Sequence, residues 1–154
     1  MKTFVILSDS HGRRERVEKL RPLFEENDYI VHLGDGRGDM REIAGSFPHK
    51  TYVVSGNCDR ADGCDEGVIE AEKRSVFYCH GHKYGVKSGL ARLAARAKET
   101  GCEIALYGHT HRAAIQEVDG VLCINPGAIA SYTQPSYCYL VLHDGKPTAT
   151  IVNL

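Results

Sequence analysis

The sequence predicts a mixed α/β fold, a β-sandwich whose strand layers lie in the middle with helices outside. Three observations carry this. Through the first two thirds of the chain, apolar runs of strand length alternate with segments of helical period. In the last third, apolar runs come in pairs around Asp-Gly dipeptides, the signature of hairpins. The chain has 154 residues, enough for one ordinary domain spanning 1–154 that buries about 70% of its unfolded surface.

The elements follow in order. Phe4–Leu7 reads as the first strand. Arg14 to Glu26 reads as a helix, with Val17, Leu20, Leu23 and Phe24 on one face. Pro22 lacks a backbone donor and predicts a kink or break there. Tyr29–Leu33 is a second strand, Asp39 to Phe47 a short helix, and Thr51–Val54 a third strand. Cys58 to Gly67 is polar and aperiodic, a loop. Val68–Ala71 and Val76–Cys79 read as strands around the charged turn Glu72–Arg74. Ser88 to Thr100 is the clearest helix, with a stripe of Leu90, Leu93, Ala94 and Ala97 and a stop at Gly101. Ile104–Tyr107 is the next strand. Ala114–Val118 and Val121–Ile124 flank Asp119-Gly120. Tyr137–Leu142 and Thr148–Val152 flank Asp144-Gly145 with a somewhat longer loop.

Bulk properties exclude several classes. The chain is 42% hydrophobic and 25% charged with net charge −1, so it lacks the long-range field of a general nucleic-acid binder. No run approaches the roughly 20 apolar residues of a membrane span. The apolar run after Lys2 is too short for a signal peptide. Six cysteines form no C-x-x-C pair, and Cys79, Cys123 and Cys138 lie in apolar runs, where a free thiol packs as a small hydrophobe. Reduced cysteines and a cytoplasmic location are expected.

The chemistry sits at the ends of the strands. After the first comes "SDSH", with Asp9 and His11. After the second comes "GD", with Asp35. After the third comes "SGNCD", with Asn57, Cys58 and Asp59. Cys79 is followed by "HGH", with His80 and His82. Tyr107 is followed by "GHTH", with His109 and His111. Singly, each has a structural explanation as a cap, a turn or a core histidine. Five such groups at the carboxyl ends of five strands, where α/β sheets bind ligands, call for a joint explanation. Three carboxylate or amide oxygens with four imidazoles and no thiolate suit Mn²⁺, Fe²⁺, Co²⁺, Ni²⁺ or Zn²⁺. Seven ligands exceed one tetrahedral site. His109 and His111 do not share a helix face. In an extended segment they would point to one side, each reaching one ion of a pair.

The ordered set D-x-H, G-D, G-N, H and G-H-x-H, with "NPG" at Asn125–Gly127, resembles the calcineurin-like metallophosphoesterase superfamily, in its small single-domain phosphodiesterase branch. The resemblance implies a four-layer α-β-β-α arrangement of two sheets. It implies two divalent transition-metal ions, Mn²⁺ by preference. Asp9, His11, Asp35 and His111 would hold one, and Asp35, Asn57, His80 and His109 the other, with Asp35 bridging. It implies hydrolysis of small or exposed phosphodiesters by in-line attack of a hydroxide that bridges the ions, with Asp35, Asn57, His80 and His109 acting through that hydroxide.

One position departs from the family pattern. Where many members have His after the Asn, able to protonate the leaving group, this chain has Cys58. Asp59 is either a partner behind the ligands or a turn residue. His82 either lines the pocket or is a surface histidine. His32, His49 and His143 fall outside the pattern. Arg13, Arg37 and Arg60 follow motif loops and are either surface charge or phosphate contacts. The alternatives are a non-catalytic scaffold of the same fold, resembling the retromer small subunit, and a phosphomonoesterase. A scaffold has no need of all seven ligands, and Cys58 disfavours the monoesterase.

Overall fold

A computed structural model of the chain describes residues 1–154. It contains two five-stranded sheets. Strands β1 (Lys2–Leu7), β2 (Tyr29–His32) and β3 (Thr51–Val53) run parallel. The hairpin β9 (Ser136–His143) and β10 (Lys146–Asn153) completes that sheet in the order β10-β9-β1-β2-β3. The second sheet has the order β4-β5-β6-β8-β7. It contains β4 (Glu66–Ala71), β5 (Arg74–Cys79), β6 (Ile104–Leu106), β7 (Ala114–Val118) and β8 (Val121–Asn125).

The sheets face each other across an apolar layer that includes Phe4, Ile6, Val31, Leu33, Val76, Leu106 and Leu140. The opposite face of β1, Val5 and Leu7, packs on Val17, Phe24 and Ile43 of the helical segments α1 (Arg14–Glu18), α2 (Arg21–Glu26) and α3 (Arg41–Ser46), and on Leu20 in the break between the first two. On the far side, Phe77, Ala105 and Cys123 pack on Leu93, Ala94 and Ala97 of α4 (Ala91–Glu99). The result is the expected α-β-β-α stack. It explains why β1 and β6 read as unbroken apolar runs, since each is covered on both faces.

The local departures have physical causes. The first helix breaks after Glu18 and restarts at Arg21, with Pro22 in the first turn of the second piece, where a missing N–H costs nothing. The second predicted helix opens with a 3₁₀ turn, Arg37–Met40. The helix expected from Ser88 begins at Ala91 instead. Gly89 has φ +138°, which ends the preceding 3₁₀ turn. The predicted loop ends early, because Glu66 and Gly67 pair with Cys79 and Tyr78. The second Asp-Gly hairpin has a two-residue turn, not a longer loop. Lys146 pairs with His143, and Asp144 and Gly145 have φ +53° and +80°. The pairs Glu72-Lys73 and Asp119-Gly120 are also left-handed at both positions, as tight turns between twisted strands require. All six cysteines are free. Cys102 is buried along with Cys79, Cys123 and Cys138, while Cys58 and Cys64 are exposed. No helix is long and apolar enough to cross a membrane.

Candidate metal centre

The loops leaving β1, β2, β3, β5 and β6 bring all seven predicted ligands to one end of the sandwich. Asp9 is fully buried, and Asp35 and His80 are nearly so. His11, His111 and Asn57 lie above them at the surface. His11 Nε2 is 3.5 Å from Asp9 Oδ1 and 3.8 Å from Asp35 Oδ2. His111 Nε2 lies 3.1 Å from Asp9 Oδ1 and 3.2 Å from His11 Nε2. On the other side, His80 Nε2 is 3.3 Å from Asp35 Oδ2, 2.9 Å from Asn57 Oδ1 and 3.2 Å from His109 Nδ1. One carboxylate oxygen, Asp35 Oδ2, thus faces both groups.

The backbone is shaped for this. Asp9, His11, Asp35, His109 and His111 all have positive φ, between 41° and 71°. Non-glycine residues adopt that region rarely and at a cost, and such residues cluster at functional sites. The extended geometry expected for His109 and His111 is corrected here. Both lie in a left-handed loop after β6, closed by Thr110 N–H donating to Gly108 O at 2.8 Å. The turn, not a strand, sends His109 towards His80 and His111 towards Asp9. Glycine is needed where loops touch. A Cβ on Gly34, φ +99°, would sit 2.7 Å from Gly56 N and 2.9 Å from His80 Nδ1.

Further contacts fix the orientation of the ligand atoms. His80 Nδ1 donates to Leu33 O at 2.7 Å, which leaves Nε2 unprotonated in the neutral ring. Asp9 Oδ2 accepts from Ser8 Oγ at 2.6 Å and from His109 N at 3.1 Å. Asp35 Oδ1 accepts from Cys58 N at 2.8 Å. Asp59 resolves as a tie between loops. Its carboxylate accepts from Asp35 N, Gly36 N, Arg37 N and Gly56 N at 2.7–3.2 Å, so it acts behind Asp35 and not at the open face. Asn125 Nδ2 donates to Gly108 O and Thr110 Oγ1, holding the histidine loop.

These residues fit a cation. Asp9 Oδ1 is buried with no hydrogen-bond partner, a costly state for a carboxylate oxygen unless something positive meets it. The ion-pair partners of Asp9 and Asp35 are imidazoles alone, with no Lys or Arg among them. Neutral Nε2 lone pairs from His11 and His111, 3.2 Å apart, repel unless a proton or a cation lies between them. Two three-residue groups have ligand atoms close enough to share an ion, Asp9–His11–His111 and Asp35–His80–His109. A third group, His11–Asp35–Cys58, brings Cys58 Sγ within 4.8 Å of the ligand atoms.

Electrostatics follow the same layout. Burial opposes ionisation of Asp35, but the His80 ring, which donates from Nε2 to Asp35 once it is protonated, and the Cys58 N–H outweigh it and hold the carboxyl below its ordinary range. Burial lowers His80, yet Asp35 and Asp9 raise it overall. Desolvation lowers His109, reinforced by the charge of His80. Desolvation, then the charge of Asp35, pushes the Cys58 thiol up.

Sequence reasoning set aside His32, which supports the centre from beneath. His32 Nδ1 accepts from Gly34 N–H at 3.1 Å, so its proton is on Nε2. Nε2–H donates to Ser10 Oγ at 2.9 Å, and Ser10 Oγ donates to Asp39 Oδ2 at 2.7 Å. Asp39 also accepts from Gly12 N at 2.9 Å. The chain clamps the loop carrying Asp9 and His11. Of its side chains only that of Ser10, inside the "SDSH" motif, sits next to a ligand in the sequence, and nothing there ties it to His32. His82 lies beside the centre, its ring 5.3 Å from His80. His49 and His143 are exposed elsewhere. Arg37 pairs with Asp62 at 2.8 Å, Arg60 is exposed, and Arg13 stands over the Tyr132 ring.

Burial holds His32 neutral, pushed down to about 4 from 6.5, against the pull of Asp9, Asp59 and Asp39. The unfolded chain takes up a proton first as pH falls. The stabilisation is therefore complete above pH 6.5 and is lost as pH drops towards 4, up to roughly 3 kcal/mol. Urea unfolding of metal-free protein at pH 7, 5.5 and 4.5 should show this loss, and His32→Asn should flatten it. A slope unchanged in the variant would assign the acid sensitivity to another group.

A model of the calcineurin-like phosphoesterase superfamily domain matches residues 1–145. The phosphodiesterase MJ0936 of Methanocaldococcus jannaschii is 35% identical over 152 residues, covering 82% of this chain and 84% of its own. A predicted phosphoesterase from Streptococcus pneumoniae superposes with TM-score 0.84 at 25% identity, over 99% of this chain and 89% of that one. Vps29 of Entamoeba histolytica, solved with Zn²⁺, superposes with TM-score 0.75 at 20% identity, over 98% of each chain.

Proposed function

The chain belongs to the calcineurin-like phosphoesterase superfamily, and on that premise we propose that it is a metal-dependent phosphodiesterase acting on small or exposed phosphodiesters. The observation that carries the reading is the seven-ligand cluster, with Asp35 Oδ2 set between His11 and His80. Asp9, His11, Asp35 and His111 would hold one ion, and Asp35, Asn57, His80 and His109 a second. Bound there, a divalent pair supplies a nucleophile from water at neutral pH and neutralises charge building on the phosphoryl oxygens. Mn²⁺ suits the mixed oxygen and imidazole set, and Fe²⁺, Co²⁺, Ni²⁺ and Zn²⁺ are compatible with it.

The chain's own part is positioning and charge. Asp9 and Asp35 supply buried negative charge at the floor. His80, fixed through Leu33 O, presents a free Nε2 upward. Exposed His11, His111 and Asn57 leave the upper face open to a phosphodiester from solvent. Cys58 stands at that face where a proton donor to the leaving group would be useful, and a thiol with a raised pKa is a weak donor at neutral pH. That favours diesters with good leaving groups over phosphomonoesters. The scaffold reading has the fold likeness to Vps29 behind it.

Elemental analysis of protein reconstituted with Mn²⁺ should saturate at about two ions per chain, because seven ligands sharing one carboxylate make two sites. The loaded protein should hydrolyse bis(p-nitrophenyl) phosphate faster than p-nitrophenyl phosphate. One ion per chain would refute the bridging role of Asp35. Two ions without turnover of any phosphate ester would favour the scaffold.

A further inference from the structure

Beside the His11 and His111 side of the centre lies an open cleft of about 800 Å³. His11, Arg13, His111, Ser131, Tyr132 and Thr133 are among the residues that line it. Tyr132 is 89% exposed. Of the other exposed large apolar residues, Met1 and Leu154 are at the chain ends and Val68 and Ile115 are on the edge strands β4 and β7. Tyr132 alone stands at the mouth of the site.

Its loop is pinned from several sides. Arg16 Nη1 donates to Ile129 O and Ser131 O, both at 2.8 Å. Ile129 N and Ala130 N donate to Ser8 O and Asp9 O at 3.0 and 3.1 Å, tying the loop to the strand end that carries Asp9. Gln134 N donates to Ser131 Oγ at 3.1 Å. The guanidinium of Arg13 stands 5.7 Å from the Tyr132 ring centroid, within cation–π range. A large ring is therefore held in water on an anchored loop, beside two candidate ligands and a cation. Tyrosine in such a place offers flat contact area at little entropic cost.

We infer that Tyr132, with Arg13, forms a stacking platform for the ester arm that stays on phosphorus, and that the substrate class is phosphodiesters whose retained arm bears a planar aromatic ring such as a nucleobase. The inference rests on the phosphodiesterase reading above. An aromatic arm lies flat on the ring while the phosphoryl group sits at the centre. Base–aromatic stacking tolerates any base, because every base has a π-face. The platform selects aromatic arms over alkyl arms and is indifferent among bases.

The test compares two diesters with the same leaving group, thymidine 5′-(p-nitrophenyl) phosphate and methyl p-nitrophenyl phosphate, on Mn²⁺-loaded protein. The ratio of their kcat/KM values should fall about 5–150-fold in Tyr132→Ala, chiefly through KM, from the stacking lost. Tyr132→Phe, which keeps the ring, should restore it. A ratio unchanged in Tyr132→Ala, or equally low in Tyr132→Phe, overturns the inference. A second readout is independent of turnover: equilibrium binding of AMP and of inorganic phosphate by calorimetry. AMP should bind wild type more tightly than phosphate does, and Tyr132→Ala should erase the difference. If wild type hydrolyses neither ester, the phosphodiesterase reading fails and binding decides. A surviving AMP preference that depends on Tyr132 upholds the platform, and its absence overturns it.

Discussion

Asp35→Asn should reduce phosphodiester hydrolysis on the order of 10³-fold or more while leaving the fold intact. A divalent centre supplies several kcal/mol of transition-state charge stabilisation, and each ~1.4 kcal/mol is tenfold in rate. Asp35 Oδ2 is the atom common to both ligand groups. Replacing it with an amide removes the shared charge and puts an N–H₂ against His80 Nε2. Asparagine suits the position otherwise. It tolerates the left-handed backbone, φ +58° here, and its oxygen can still accept from the Cys58 N–H. Metal-free stability near neutral pH should fall modestly, because the folded chain holds the Asp35 carboxyl below its ordinary range and that stabilisation goes with the charge. Three measurements check this together: turnover of bis(p-nitrophenyl) phosphate in Mn²⁺, metal content and urea midpoint. Activity within tenfold of wild type, in a variant that still binds two ions, would remove Asp35 from its bridging role.

The parts of the fold that were legible in the sequence are those set by local chemistry. Phe4–Leu7 reads as a strand because both of its faces are covered, and Asp119-Gly120 reads as a turn because its backbone needs positive φ. Pro22 marks its break for the same kind of reason. What escaped depends on distant partners. Glu66 and Gly67 are poor strand formers, and they extend β4 only because β5 is there to pair with them. The start of α4 at Ala91 is set by Gly89, whose φ the helical stripe of Leu90 and Leu93 does not reveal.

The candidate ligands were readable for a different reason. They are polar residues repeated at the same point of five strand ends, a pattern that survives errors of one or two residues in the strand bounds. Their geometry was not readable. The spacing of His109 and His111 suggested an extended segment, but the structure places them by two left-handed residues. His32 was invisible because its role lies in two hydrogen-bonded steps, through Ser10 to Asp39, that join residues far apart in the chain.

Cys58→His should flatten the dependence of diester hydrolysis on leaving-group acidity. An aryl oxide departs readily without a proton, whereas an alkoxide departs poorly. With Cys58 in place, the rate should fall steeply as the leaving group becomes more basic. A thiol of ordinary pKa about 8.5 is a poorer proton donor near neutrality than an imidazole of about 6.5, and Cys58 is pushed higher still. Position 58 has the reach, because Sγ lies within 4.8 Å of ligand atoms of His11 and Asp35. It also has the freedom. The side chain is exposed, and the backbone N–H that binds Asp35 Oδ1 is unaffected by the substitution. A well-placed general acid is worth roughly 10²–10⁴-fold, so the gain should be near zero for p-nitrophenyl esters and largest for alkyl esters. Cys58→Ser, with no usable proton donor, should keep the steep slope. The measurement is kcat/KM over a series of diesters of graded leaving-group pKa for all three proteins. Parallel lines for wild type and Cys58→His would show that position 58 does not govern leaving-group protonation. A preference for aryl diesters over monoesters would then trace to the shape of the cleft beside Tyr132 instead.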